Sequence, residues 1–312
     1  MSAETAGTIG RTARLMKRAT YASVSVAAVM ILLKLVAWIA TDSVSMLSSL
    51  LDSLLDAAAS VLNLLAVRQA VTPADREHRF GHGKAEPLAG LGQAAFIGGS
   101  ATFLFIEAAH QLAQPVRVSN TLLGVVVMVV AIGVTLALVL YQRHVVQHTG
   151  SLVISADELH YRSDVILNGS VILSLVISGV LGWPYADPLF GIAIGLWIIY
   201  GAWQVARKAV GQLMDHELPD AERARIRAIV LSHPEVTAVH DLRTRASGPT
   251  AFIQVHIEMD GRMSLAEAHR VSDEVEAQLL AAFPRSEVII HQDPAGVEEV
   301  RQVFPAPQSA RQ

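Results

Sequence analysis

The sequence predicts an α-helical membrane protein with six transmembrane helices, followed by a small soluble α+β domain. Three observations carry this reading. Apolar stretches long enough to cross a bilayer, roughly 20 residues, recur over the first two thirds of the 312 residues. Charge is scarce, at 17% of residues against 52% hydrophobic, where a soluble domain carries roughly 25% charge. Beyond about Ala209 the pattern changes to short, alternating elements of soluble type.

Three of the apolar stretches are clean, at about Tyr21–Ala40, Thr121–Tyr141 and Tyr185–Ala206. Three more, about Ser43–Val67, Pro87–Leu112 and Leu152–Gly182, are interrupted by polar residues. The first is too long for a secretory signal and lacks a small-residue cleavage site after it. Basic residues flank the spans on one side only: Arg11, Arg14, Lys17 and Arg18, then Arg68, Arg76, Arg79 and Lys84, then Arg143, Arg207 and Lys208. The opposite loops hold Arg117 alone, so both termini are expected in the cytoplasm.

In the soluble part, Ala221–Leu231 reads as a helix and Thr237–Arg245 with Thr250–Met259 as a hairpin turning at Ser247-Gly248-Pro249. Ser264–Phe283 reads as an amphipathic helix and Ser286–Gln292 as a last strand. That order suits a two-layer, ferredoxin-like domain. The expected organisation is residues 1–208 in the membrane, 209–295 in the cytoplasm and a disordered tail over 296–312.

Composition excludes several function classes. A net charge of −4 with no basic stripe argues against nucleic acid as a partner. The absence of cysteine excludes disulfides, thiolate metal sites and a cysteine nucleophile. There is no H-E-x-x-H or G-x-S-x-G signature of a hydrolase.

The informative residues are ionisable groups inside spans. Asp52 and Asp56 are spaced i, i+4 on the second span, as are His160 and Asp164 on the fifth, with Asp157 one turn earlier. That spacing puts each pair on one helical face. A charge at the bilayer centre costs about 2.5–3.5 kcal/mol, so such groups face a polar interior and call for a cation. Three carboxylates and an imidazole suit a borderline divalent metal such as Zn²⁺. Read blandly, the same residues are packing polars that bond one another. Lys34 is expected to snorkel outward, and Glu107 and His110 to sit at the outer end of the third span. The small residues Ala95, Gly98, Gly99 and Ser100 point to close helix approach or dimerisation.

Asp75, His78 and His82, between the second and third spans, have a spacing that can wrap one metal, although short loops collect polar residues anyway. In the soluble part His256 faces away from Ile253, Val255 and Ile257. His291 and Asp293 share one face of the last strand, His240 opens the hairpin and His269 lies on the long helix. These five either converge on one or two metal ions or are solvated. His216 and His233 fit no pattern and read as surface residues.

Several long segments, in order, resemble the cation diffusion facilitator family, and its bacterial ferrous-iron and zinc efflux pumps in particular. They are SVSMLSSLLDSLLDAAAS at Ser43–Ser60, FGHGKAEPLA at Phe80–Ala89, LHYRSDVILNG at Leu159–Gly169, HDLRTRASGPTAFIQVHIEM at His240–Met259 and VIIHQDP at Val288–Pro294. The resemblance implies a homodimer in the bacterial inner membrane that exports Zn²⁺, Cd²⁺ or Fe²⁺ in exchange for protons. It implies a transport site at Asp52, Asp56, His160 and Asp164 and a loop site at Asp75, His78 and His82. A cytoplasmic site is implied at His240, His256, His269, His291 and Asp293, with a charge interlock between protomers at Lys84 and Asp215. Three other readings compete with proton-coupled efflux: a membrane metal sensor that moves no ion, an intramembrane metal-dependent hydrolase, and a passive channel.

Overall fold

A computed structural model describes residues 3–41, 44–113, 122–181 and 185–297. Arg117, Asp42 and residues 298–312 of the expected tail lie outside the described residues. Six long helices come first: α1 (Ala3–Thr41), α2 (Val44–Ala70), α3 (Ala85–Ala113), α4 (Leu122–Thr149), α5 (Leu152–Leu181) and α6 (Ala186–Leu213). At ~1.5 Å per residue each exceeds the ~30 Å of a bilayer core. All but α5 are apolar enough to cross one by composition alone.

The exception is instructive. α5 carries Asp157, Glu158, Arg162 and Asp164 in its first half, and the bundle shields it. Its Ala156 and Leu159 pack with Ala94, Ile97 and Ala101 of α3 and with Ile198, Ala202 and Val205 of α6. Val153 and Ile154 pack on its other side against Met16 and Ala19 of α1, Val67 of α2 and Val145 of α4. Asp157, Glu158 and His160 are thus buried, which lets a charged helix be the sixth of the bundle.

The sharp turn into α5 follows from local sequence. Gly150 takes a φ of +69° and its N–H bonds the Val146 carbonyl at 2.8 Å, the left-handed end that glycine makes cheap. The Ser151 hydroxyl then accepts from Ile154 N–H at 3.3 Å, capping the new helix. α1 starts at Ala3 rather than near Tyr21, so the segment carrying Arg11, Arg14, Lys17 and Arg18 is helical ahead of the apolar stretch. α6 runs past the expected span end at about Ala206 to Leu213 and stops just before Asp215, which adopts a φ of +55°. The chain divides into two units, with residues 1–217 and 245–251 in the first and the rest in the second.

Of the small-residue stripe of α3, Gly98 faces α6, where a Cβ on it would lie 4.0 Å from Ala202 Cβ. Gly99 faces open space, and the close approach belongs to α6, where a Cβ on Gly191 would lie 3.1 Å from Ala108 Cβ and one on Gly195 3.5 Å from the Ala101 carbonyl.

After α6 come α7 (Asp220–Leu231), β1 (Ala238–Ser247), β2 (Thr250–Met259), α8 (Leu265–Ala282) and β3 (Ser286–Pro294), with sheet order β1-β2-β3. Ala295 N–H bonds the Met259 carbonyl, so β3 and β2 end together, the parallel sense a helical crossover permits. α8 opens with a capping box in which Ser264 and Glu267 exchange side-chain and backbone bonds. Ile253, Val255 and Ile257 fill the core with Ile226, Val230, Val271, Val275 and Leu279, so the alternate residues of β2 are left on the open face.

Candidate metal centres

Among the described residues, three groups of His and Asp converge closely enough to share an ion: Asp56, His160 and Asp164; Asp75, His78 and His82; and His240, His256 and Asp293.

The first lies inside the helical bundle. His160 Nε2 is 2.9 Å from Asp56 Oδ1 and 3.9 Å from Asp164 Oδ2, and the imidazole side chain is 10% exposed. One carboxylate comes from α2 and the other from the next turn of α5, so the group exists only when those helices pack. Asp52 stands one turn off and lines the adjoining cavity of about 210 Å³ with Lys34, Asp56, Tyr161, Asp164 and Asn168. Lys34 does not snorkel away from this cavity; its ammonium donates to the Ser49 carbonyl at 3.1 Å.

Asp157 serves a different purpose from its neighbours. It is 2% exposed, and it accepts from Ser23 Oγ on α1 (2.6 Å), Asn63 Nδ2 on α2 (3.0 Å) and Gln142 Nε2 on α4 (2.6 Å). Ser60 Oγ on α2 and Tyr161 Oη on α5, 2.9 Å apart, make a separate buried bond between those two helices. Four helices thus close on one carboxylate, and the turn of α5 carrying His160 is fixed in register. Asn63 and Gln142 were not singled out from sequence; a polar side chain isolated in an apolar span was the signal available.

The loop group is built on an Asx turn. Asp75 Oδ1 accepts from the backbone N–H groups of Glu77 (2.9 Å) and His78 (2.6 Å). The bond from His78 N–H, against a small opposing effect of burial, holds this carboxyl below its ordinary range. Its two oxygens lie 3.3 Å from His78 Nδ1 and His82 Nε2. Gly81, at φ +76°, lies in the turn between the two histidines, whose rings are tilted by 42° with centroids 4.4 Å apart. His82 Nδ1 is buried with no hydrogen-bond partner.

On the open face of the sheet, Asp293 is the hub. Its Oδ2 lies 2.9 Å from His256 Nδ1 and 3.1 Å from His240 Nε2, and its Oδ1 is 3.1 Å from His291 Nε2. Burial pushes this carboxyl up, but the His256 bond and the three imidazoles outweigh it and hold it low. Both ring nitrogens of His240 are buried and lack a hydrogen bond although carboxylate oxygens sit 3.1–3.3 Å away. Nitrogens crowded by anionic oxygens without bonding them fit a cation between them. Glu258, 3.3 Å from His240 Nδ1, and Asp241, 3.8 Å from His256 Nε2, join this set. Glu258 was legible as the residue two along from His256 on the same strand face. Asp241 was not, because alternation sends it to the other face; its φ of +44° breaks the alternation.

His269 is not brought to this face. It sits on α8 with its side chain 71% exposed, 3.6 Å from Asp273. His233 is not a surface residue: it is 4% exposed, bonds Glu274 at 3.0 Å and accepts from Glu235 N–H, closing the end of α7 against α8. His216 is exposed as expected. Lys84 Nζ and Asp215 Oδ1 are 3.0 Å apart within one protomer, with Arg245 at 3.4 Å.

Residues 20–214 match the cation efflux transmembrane domain family, and residues 218–295 match the cation efflux protein cytoplasmic domain family. The chain is 50% identical to the cation-efflux pump FieF of Salmonella agona strain SL483 over 284 residues, 91% of this chain and 94% of that one. Among solved structures, a zinc form of CzrB, described as a candidate zinc transporter, is 39% identical over 27% of this chain and 98% of its own, with a TM-score of 0.26. A metal-bound C-terminal domain of the CzcD transporter from Thermotoga maritima is 31% identical over 26% of this chain and 100% of its own, with a TM-score of 0.25.

Proposed function

This chain belongs to the cation efflux family, and on that premise we propose that it exports divalent transition metals in exchange for protons. Zn²⁺ is the first expected substrate, with Cd²⁺ and Fe²⁺ beside it. The carrying observation is the Asp56–His160–Asp164 group on two packed helices, with Asp52 on the wall of the same cavity. Oxygen and imidazole donors in that ratio favour a borderline metal over Mg²⁺ or Ca²⁺, which take oxygen alone.

Coupling follows from ligand chemistry. An imidazole binds metal only in its neutral form, and it titrates near physiological pH. A metal arriving at a protonated His160 therefore displaces that proton, and a proton arriving from the other side helps expel the metal. Alternation of the bundle between two open states then makes the exchange vectorial. The protein is multi-pass, and we place it in the bacterial inner membrane with both termini cytoplasmic.

Asp75, His78 and His82 form a separate loop site. His240, His256, His291 and Asp293 would hold a resident ion on the sheet, which supplies positive charge against Asp293, Asp241 and Glu258. We assign this site to the docking of two cytoplasmic domains in a homodimer, so it tunes the pump without lying on the ion path. His269, on the far helix, is outside that set within one protomer.

The test is flux. Purified protein in liposomes carries a fluorescent Zn²⁺ probe and a lumenal pH indicator, beside Asp56→Ala. Opposed zinc and proton movement, both lost in the variant, is the expected result. Zinc movement without a pH change would replace antiport by a channel, and binding without flux would leave a sensor.

A further inference from the structure

The cavity beside Asp56 contains a cation of its own. Lys34 extends from α1 among three carboxylates, and its ammonium is anchored by the Ser49 carbonyl of α2. The anchor places it toward the end where α1 finishes and α2 begins, one turn beyond Asp52 and two beyond Asp56. The cavity wall therefore joins one amine to the carboxyl groups of Asp52, Asp56 and Asp164.

We propose that Lys34 is the tethered cation of the transport cavity, guarding the end next to the α1–α2 connection against refilling by metal from that side. This rests on the transport reading above, under which that end is the release side. Metal leaving past Lys34 gives up a site whose remaining charge the ammonium partly offsets. A hydrated divalent ion approaching from outside meets a fixed positive charge first. In a low-dielectric cavity such repulsion is strong enough to separate the two directions of entry.

A purely structural Lys34 would act only through its bond to Ser49, and glutamine separates the two roles. Lys34→Gln keeps an N–H donor but removes the charge, Lys34→Arg keeps the charge, and Lys34→Met removes both. Full-length protein in liposomes with an acid lumen takes up Zn²⁺ through molecules whose release side faces the lumen. The measured quantity is the lumenal Zn²⁺ concentration that halves uptake. Met and Gln variants are expected to lower it by about tenfold or more, with Arg close to the unsubstituted protein. An unchanged inhibitory concentration in Gln, or a Gln variant restored to normal beside a defective Met variant, overturns the proposal. Asp56→Ala in the same series keeps the two readings apart. If it still transports, the site assignment has failed; if it is inactive and only the Lys34 series is flat, Lys34 alone has been misread.

Discussion

Replacing Asp157 by alanine removes the acceptor at which α1, α2 and α4 meet α5. Hydrogen bonds between helices in a membrane contribute about 0.6–1.7 kcal/mol each. Three of them give roughly 2–5 kcal/mol, with Ser23 and Gln142 keeping their bonds to the Ala19 carbonyl and to Ser23 Oγ. At about 2–4 °C per kcal/mol for a unit of this size, a central loss of ~3 kcal/mol lowers the melting midpoint by about 6–12 °C. Asparagine keeps the volume and one acceptor oxygen, so Asp157→Asn falls between alanine and the unsubstituted protein. The assay is thermal unfolding in detergent, followed by the fraction remaining monodisperse, with zinc flux on the folded fraction. Because Asp157 fixes the turn that carries His160, flux is expected to fall even in protein that stays folded. An Asp157→Ala midpoint within about 2 °C of the parent would refute the clamp, as would an Asn variant worse than Ala.

Asp56→Ala and His160→Ala are each expected to abolish zinc-coupled proton movement in liposomes while leaving the thermal response of the cytoplasmic site to zinc intact. Asp293→Ala reverses that pattern: flux persists, and the zinc-induced rise in the melting midpoint disappears, because the hub of three imidazoles is gone. The Lys84–Asp215 pair gives a pH signature. Burial pushes Asp215 up, but the Lys84 hydrogen bond and charge, with Arg245, outweigh it and hold the carboxyl low. A depressed carboxyl stabilises above its ordinary range and loses that contribution as pH falls through its lowered value. Asp215→Asn should therefore reduce stability slightly at pH 7, by less than about 1 kcal/mol for so exposed a pair, with the difference shrinking as pH falls through the carboxyl's lowered value. Ser264→Ala removes one half of the α8 capping box and should cost the second unit about 1 kcal/mol, read by urea unfolding monitored on the sheet.

Periodicity and chemistry in the chain determined a good deal unaided. Apolar stretches of the right length specified the spans, since nothing else in water or lipid satisfies their backbone. Alternation on β2 determined that His256 leaves the core, because strand side chains have no other choice than two faces. Asp56 and His160 were visible because a titratable group in an apolar run has so few stable surroundings. Only the packed structure decided what each such group meets. Asp157 and Asp164 are both carboxylates on α5, two turns apart, yet one closes a four-helix hydrogen-bond clamp and the other faces a cavity. Lys34 reads in sequence as a snorkelling lysine and in space as part of the acidic cavity; Asp241 reaches His256 only through a positive φ. His233 and His269 exchange their expected surroundings, one buried and one exposed. Spacing along a chain defines which residues share a face, but the neighbour across that face comes from another segment, and long-range packing alone chooses it.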